Sequence, residues 1–517
     1  MSLEFTQTQS GPSSAEGADG GTLQLDPSAV PLCVDLDGTL VKSDTLVDTV
    51  VVLARQNPAA LLHFPRWISQ GKASFKQKVS ALAAIDVVHL PYNQPLLEYL
   101  RQQFADGREI YLATGADTVL AERVAAHLGI FAAVLASDGS VNLTGHNKLA
   151  AFRERFPNGF CYIGNARADV PLLTNCAQPM VANPHRGLSA GLRSANIVPV
   201  HCFKDSASPF KSWVKAIRLH QWAKNTLIFL PVLLAHVRAT GPVAAAALAF
   251  LSFGLAASAT YIVNDLLDLE ADRHHPRKRR RPFASGDLSP IAGVATAILF
   301  FAASLTIGLM LPRVLNALSP RFPWNGQGEF LEWLILYAVS TTAYSLWLKR
   351  MVLVDVIVLS GLYTIRILAG SAASGVEVSP WLAAFSIFFF LSLAFVKRFA
   401  ELEGMRIRNQ ATGTVSVVKG RGYRVSDIEQ IRSFGTASGC ASVVIFALYI
   451  GNEVAQSLYP HHTRLWLLVP VLLLWTFRLW LLASRGDLHE DPVVYAITDK
   501  RSLLLGVIVV AIVLSAL

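Results

Sequence analysis

Between residues 30 and 200, short apolar runs alternate with longer segments of helical spacing. VPLCVDLDGTL, REIYLATG, AAVLAS and GFCYIGN each end in a polar or glycine-rich turn. Such runs predict buried strands. Strands alternating with helices predict a Rossmann-like α/β domain over 30–200, built on a parallel sheet. Sites in such sheets lie at the carboxyl ends of the strands. An insert at 45–105, after the first strand, predicts a small helical cap. From about residue 219 the apolar runs lengthen. About nine of them approach or exceed the length needed for a hydrocarbon core of about 30 Å. They lie near 225–237, 242–263, 289–312, 328–347, 351–370, 380–396, 436–457, 463–483 and 501–517. This predicts an all-α polytopic membrane domain over 219–517, joined to the α/β domain by a linker at 201–218.

Composition agrees with that division. The 517 residues are 52% hydrophobic, too apolar for an ordinary soluble chain. The net charge of +9 points in such a chain to cytoplasmic loops and to anionic lipid or substrate, not to nucleic acid. The basic residues crowd into 265–288, Lys349-Arg350, 397–432 and 485–501. Loops near 238–242, 371–380 and 457–463 carry few, with Arg313 and Arg321 as the exception on that side. Alternate loops are therefore basic, and that face is expected to be the cytoplasmic face of the cell's inner membrane. The amino-terminal domain falls on the same side. Residues 1–29 are rich in Ser, Gly, Asp and Glu without an apolar core, so they are expected to be a disordered tail and not a signal peptide. The five cysteines show neither metal-ligand spacing nor a disulfide framework.

The first strand runs into Asp35-Leu36-Asp37-Gly38-Thr39-Leu40. Two carboxylates two residues apart at a strand end can face one phosphate. One can attack it while the other moves a proton. The next strand ends in Leu112-Ala113-Thr114-Gly115, where a hydroxyl and backbone amides suit phosphate oxygens. With Lys148 and Gly164-Asn165-Ala166-Arg167-Ala168-Asp169, the order of motifs resembles the haloacid dehalogenase-like phosphatases over roughly residues 30–200. The resemblance implies that Asp35 is the nucleophile and Asp37 the general acid and base. It implies that Thr114 and Lys148 hold the phosphoryl oxygens, and that Asp35, Asp37 (through its carbonyl) and Asp169 hold Mg2+. Asn165 stands where that pattern has an acid, which removes one charge from the metal site.

Between membrane spans the chain reads NDLLDLEADRHHPRKRRRPFASG, residues 264–286. Asn264, Asp268 and Asp272 are four apart and share one helical face, with Asp265 beside them. Carboxylates at a membrane boundary are costly unless a cation neutralises them. Hard oxygens at this spacing suit Mg2+ held with a phosphate-bearing substrate. The pattern resembles the UbiA superfamily of intramembrane prenyltransferases over roughly residues 212–517. A later region, Tyr344 to Arg350 and then Asp355, resembles that superfamily's second motif. There Tyr344 and Lys349 are suited to phosphate, and Asp355 to a second Mg2+. Arg218 to Asn225, Arg366 to Gly370 and Lys397 to Glu401 bring the likeness to the decaprenyl-phosphate phosphoribosyltransferase branch. The tail segment Glu490-Asp491-Pro492 to Asp499-Lys500-Arg501 fits that branch less specifically. The branch implies phosphoribosyl diphosphate as donor and a polyprenyl phosphate as acceptor. Holding a diphosphate, a 5-phosphate and a lipid phosphate together requires several cations beyond Mg2+. Lys224, Lys349, Arg366, Lys397 and Arg398 are the candidates. Asp265 reads equally as a metal ligand or a ribose-hydroxyl acceptor.

The two motif sets together predict transfer of phosphoribose to the lipid, then removal of the 5-phosphate by the fused phosphatase, with Mg2+ in both domains. The alternative is a conventional prenyltransferase using prenyl diphosphate and an aromatic acceptor. A further alternative is a non-enzymatic membrane protein carrying a degenerate soluble domain.

Overall fold

The computed structural model describes residues 30–137, 143–318, 329–412, 422–488 and 492–517. The tail expected at 1–29, Arg321, and the pair Glu490-Asp491 lie outside the described residues. The chain divides into two compact units. One holds the residues up to Leu46 together with His63–Ser206; the other holds Val47–Leu62 and Ala207–Leu517.

In chain order the first part runs β1 (Leu32–Val34), α1 (Thr45–Gln56), α2 (Phe64–Ser69), α3 (Lys72–Leu82), α4 (Gln94–Ala105) and β2 (Ile110–Asp117). It continues through α5 (Thr118–Leu128), β3 (Ala133–Ser137), α6 (His146–Arg155), β4 (Cys161–Gly164), α7 (Val170–Asn175), β5 (Pro179–Ala182), α8 (Arg186–Ser194) and β6 (His201–Phe203). The strands form one parallel sheet in the order β3-β2-β1-β4-β5-β6. Leu32 lies opposite Ile110 on one side and Cys161 on the other. All three β1 residues are fully buried, as expected of a parallel strand covered on both faces. Connections run in opposite directions from β1, so the crevice between the ends of β1 and β4 is the topological switch point. One face of the sheet carries a core of Phe152, Phe156, Phe160 and Tyr162, with Phe152 meeting the other three rings edge to face.

Two features of this half differ from expectation. The sixth strand falls inside the stretch read as a linker, where its three residues were too short an apolar run to mark a strand. Residues 47–62 group with the helical unit. The reason is packing: Val51 lies against a cluster containing Leu266, Leu269 and Phe283, and Asp48 forms a buried ion pair with Arg273 at 2.8 Å.

The helical unit continues with α9 (Pro209–Ile217), a 3-10 segment Leu219–Phe229, and α10 (Leu230–Leu234). Then come α11 (Thr240–Leu267), α12 (Leu269–His274), α13 (Pro290–Leu318), α14 (Glu329–Leu346), α15 (Val354–Ser374) and α16 (Pro380–Thr412). It ends with α17 (Ile428–Ile450), α18 (Glu453–Leu458), α19 (Leu468–Ser484), α20 (Pro492–Thr498) and α21 (Lys500–Ala516). Among the described residues, six helices are long and apolar enough to cross a membrane: 240–267, 290–313, 354–374, 380–407, 425–450 and 462–484. Of the other expected spans, 225–237 is split between the 3-10 segment and α10, while 328–347 and 501–517 form α14 and α21, of 18 and 17 residues.

Small residues allow close helix packing where no hydrophobic effect drives it. Buried Ala245, Ala246, Ala249 and Ala256 let α11 approach its neighbours, and Ser252 and Ser304 exchange hydrogen bonds across to α13. A methyl group on Gly370 would lie 2.1 Å from the Ile228 carbonyl oxygen, so α15 presses directly on the 3-10 segment there.

Candidate functional site

The α/β unit gathers its acidic residues at the switch point. Asp35 follows β1 and is buried. Its Oδ1 accepts from Lys148 Nζ at 2.8 Å, and its Oδ2 accepts from Thr39 Oγ1 at 3.4 Å. Lys148, on α6 and itself buried, also donates to the Ala113 carbonyl at 3.1 Å and the Tyr162 hydroxyl at 3.0 Å. The Tyr162 hydroxyl in turn donates to Asp169 Oδ1 at 2.8 Å. The Asn165 and Ala166 amides reach Asp169 Oδ2 at 3.0 and 2.9 Å. Asp37 Oδ1 accepts from the Thr45 amide at 2.8 Å. Thr114 is fully buried within β2, three residues before the strand's end, and its hydroxyl accepts from the Ala116 amide at 3.0 Å.

Gly38 makes this approach of β1 and β4 possible. Its φ is +75°, and a Cβ there would meet the Asn165 side chain at 1.9 Å. Burial raises Asp35 to about 6 despite Lys148. Burial also raises Asp37 to about 7, reinforced by the nearby charge of Asp44. Buried carboxylates left short of positive charge are chemically suited to a hard divalent cation. Asp35, the Asp37 carbonyl and Asp169 would hold it. The sequence reading missed Tyr162. Its alternation with Cys161 and Ile163 along β4 looks like ordinary strand packing, and nothing local marks its hydroxyl as the link between Lys148 and Asp169.

In the helical unit, α11 ends at Leu267 and α12 begins at Leu269, so the acidic motif spans a helix junction. The four-residue stagger survives it. The Asp268 amide donates to the Asn264 carbonyl at 2.9 Å, and the Asp272 amide to the Asp268 carbonyl at 2.8 Å. Asn264 and Asp268 line a cavity of about 290 Å³. Asp265 and Asp272 do not. They are buried beside it and share Arg281, whose Nη1 lies 3.0 Å from Asp265 and 2.6 Å from Asp272. Arg218 adds a second pairing to Asp265 at 2.5 Å. Burial raises the Asp272 carboxyl above its ordinary value even with Arg281 against it.

The same cavity brings together Lys224, Tyr344, Lys349, Arg366 and Lys397. Lys349 Nζ lies 3.7 Å from Asp268 Oδ2. Burial pushes the Lys349 amine below its ordinary range, with Asp268 pulling the other way. Arg366 is held by Asn225 Oδ1 at 2.8 Å and the Tyr337 hydroxyl at 3.1 Å, with its guanidinium over the Tyr337 ring. Arg218, which opens the motif Arg218 to Asn225 but was not named as a candidate cation, also lines the cavity, as do Lys278 and Arg281, which sequence reasoning did not single out. They sit in a basic run and a helix end, which read as membrane anchors without the fold. Pro492 and Val493 of α20 contribute an apolar wall. Asp499 of the same tail segment instead caps α21 through the Ser502 amide and pairs with Arg478 at 2.7 Å.

Asp355 and Arg398 are not brought to the cavity wall. They are almost fully buried and pair with each other, Arg398 Nε donating to Asp355 Oδ2. The Tyr423 hydroxyl takes Asp355 Oδ1. Arg398 reaches Glu401 at 2.6 Å and the Tyr344 hydroxyl at 2.9 Å. A buried carboxylate needs a cation, and here a guanidinium from α16 is that cation. Asn264 and Asp268 remain the motif oxygens on the cavity wall and suit Mg2+, while Asp265 and Asp272 behind them are answered by Arg281 and, for Asp265, by Arg218 as well.

The comparisons with known proteins cover different shares of the chain. A protein of Sinorhizobium fredii called uncharacterized protein y4nM is 36% identical over 484 residues, 93% of this chain and 90% of that one. Decaprenyl-phosphate phosphoribosyltransferase of Mycobacterium tuberculosis is 35% identical over 267 residues, 48% of this chain and 78% of that one. A UbiA homologue of Archaeoglobus fulgidus, solved with GPP and Mg2+, aligns over 59% of this chain and 99% of that one at 14% identity and a TM-score of 0.42. The UbiA prenyltransferase family matches residues 226–498, which hold the acidic junction, all six apolar helices and the cavity lining other than Arg218 and Lys224. This multi-pass membrane protein belongs to the UbiA prenyltransferase family.

Proposed function

We propose that the helical unit transfers 5-phosphoribose from phosphoribosyl diphosphate to a polyprenyl phosphate, and that the α/β unit then removes the 5-phosphate. One observation carries the transfer reading. The cavity is lined by seven cations, Arg218, Lys224, Lys278, Arg281, Lys349, Arg366 and Lys397, which outnumber the lining Asp268 and the two rear carboxylates, Asp265 and Asp272, by four. One diphosphate already neutralised by a metal does not call for so many cations. A donor diphosphate, its 5-phosphate and a lipid phosphate do. The similarity to decaprenyl-phosphate phosphoribosyltransferase supports the same choice.

Asn264 and Asp268, with Asp265 and Asp272 behind them, would hold Mg2+, which would supply neutralisation of the leaving diphosphate. Arg281 and Arg218 keep the two rear carboxylates in place. Lys349 and Lys224 bind diphosphate oxygens, while Arg366, fixed by Asn225 and Tyr337, presents its guanidinium to a phosphate. The acceptor phosphate is already an anion, so no strong base is required. Catalysis is positioning and charge stabilisation. In the α/β unit, Asp35 attacks the 5-phosphate and forms an aspartyl-phosphate. Asp37 protonates the departing ribose 5-oxygen and later deprotonates the water that displaces phosphate from Asp35. Lys148 and Thr114 hold phosphoryl oxygens. Both active sites act on the cytoplasmic face in this reading. Tethering the two activities raises the effective concentration of the second near its substrate.

The test is mass spectrometry of lipids from membranes supplied with Mg2+, polyprenyl phosphate and labelled phosphoribosyl diphosphate. The expected products are a labelled phosphoribosyl lipid and its dephosphorylated form. Turnover of prenyl diphosphate with an aromatic acceptor, and no labelled ribosyl lipid, would replace this reading with conventional prenyl transfer.

A further inference from the structure

We infer that Arg55, on the insert after the first strand, is a diphosphate-binding residue beside the transferase cavity, reaching it at Asp268. The inference rests on the proposed binding of a metal-diphosphate at Asp268. It does not depend on whether the donor carries a ribosyl or a prenyl group.

Helix α1 is seated on the acidic junction by interactions of its own. Asp48 and Arg273 pair at 2.8 Å with exposures of 0% and 7%. Arg273 also donates to the Ala284 carbonyl at 3.2 Å, so the anchor is tied to the loop after α12. Val51 packs into the cluster containing Leu266 and Leu269. Asp48 and Arg55 are seven residues apart, two helical turns, and so share a face. With Asp48 fixed, that face carries Arg55 to the carboxyl end of α11. There its Nη1 donates to the Leu267 carbonyl at 2.8 Å and lies 3.3 Å from Asp268 Oδ1.

The two pairs differ in what they are for. The Asp48 pair is buried and sets the register of α1. The Arg55 pair is open, with exposures of 39% and 20%, and such pairs contribute little stability. Its position is the informative part. Asp268 is the carboxylate that lines the cavity, and its two oxygens face cations from opposite sides, Arg55 on Oδ1 and Lys349 on Oδ2. When a divalent cation occupies Asp268, both are repelled from the carboxylate and are left beside the anion that the metal carries. A guanidinium anchored through one nitrogen to the Leu267 carbonyl still has donors for phosphate oxygens, in a fixed fork that an ammonium lacks. Arg55 therefore neutralises Asp268 in the resting protein and receives the diphosphate in the loaded one.

The experiment is calorimetric titration of the full chain in detergent with inorganic pyrophosphate and Mg2+. Arg55→Gln is expected to weaken pyrophosphate binding about tenfold, the worth of one charge-assisted hydrogen bond. Arg55→Lys should recover part of that loss. Binding of Mg2+ alone should be equal or tighter in Arg55→Gln, because a competing cation has gone. The thermal midpoint without ligand should stay that of the wild type, which separates a binding role from a structural one. Unchanged pyrophosphate affinity in Arg55→Gln overturns the inference while leaving the transferase reading intact. Absence of Mg2+-dependent pyrophosphate binding in the wild type overturns both.

Discussion

The two acidic sites use the same residue types in opposite constructions. At the switch point of the sheet, Asp35, Lys148, Tyr162 and Asp169 form a closed chain of hydrogen bonds, each member buried. At the α11–α12 junction, two carboxylates are locked behind Arg281 while Asp268 and a surplus of cations face open space. A buried network fixes atoms to suit one small group, in the proposed reading a phosphate monoester. A cation-lined cavity accepts a larger, highly charged assembly. The distribution of charge, more than the count of carboxylates, separates the two.

The sharpest way to test that separation is to remove one carboxylate from each site. If the α/β unit is the phosphatase proposed, Asp35→Asn should lower 5-phosphate release by at least about 1,000-fold, because the carboxylate that Lys148 holds for attack has gone. Transfer should continue, so the phosphorylated ribosyl lipid should accumulate in the lipid mass spectrum. Asp268→Asn should do the reverse. Transfer should fall by about 100-fold or more through loss of the metal-binding charge, with phosphatase activity on a soluble phosphomonoester unchanged. Equal loss of both activities in either variant would mean that the sites are not independent.

Asp355→Asn probes a third arrangement, the carboxylate that is fully paired inside the helical unit. Removing its charge leaves Arg398 buried without its main partner, which should cost about 3–5 kcal/mol. Denaturant or thermal unfolding in detergent would show that loss, whereas Asp268→Asn should unfold near the wild-type midpoint. A variant of Asp355 that keeps full stability but changes the metal requirement would return this residue to the ligand set.

That contrast also marks what the sequence made legible. Four strands and the DLDGTL and NDLLDLEAD motifs could be placed because apolar runs end abruptly at polar turns, a local signal. Asp355 looked like a ligand because a carboxylate at a membrane boundary reads the same whether Mg2+ or a guanidinium answers it. The answer, Arg398, lies 43 residues away and depends on how α15 and α16 pack. The allegiance of α1 was hidden for a related reason. Its apolar face predicts burial but does not name the surface that buries it, and only the Asp48–Arg273 pair does so, across 225 residues of sequence. β5 and β6 were missed because runs of four and three residues carry too little pattern to separate strand from loop.

The smallest expected effect tests the cationic surplus itself. Lys397 lines the cavity on α16, one residue before the buried Arg398. If the surplus serves a polyanionic assembly, Lys397→Gln removes one attraction felt alike by bound substrate and transition state. Such a loss raises KM and leaves kcat nearly unchanged. The expected change is about tenfold in KM for the phosphoribosyl donor or the lipid phosphate, measured separately at saturating concentration of the other. The substrate whose KM moves identifies the phosphate that Lys397 meets. A fall in kcat at constant KM would place Lys397 instead among the groups that act only as the diphosphate departs, which would make the cavity wall on α16 part of the leaving-group site and not a binding surface around it.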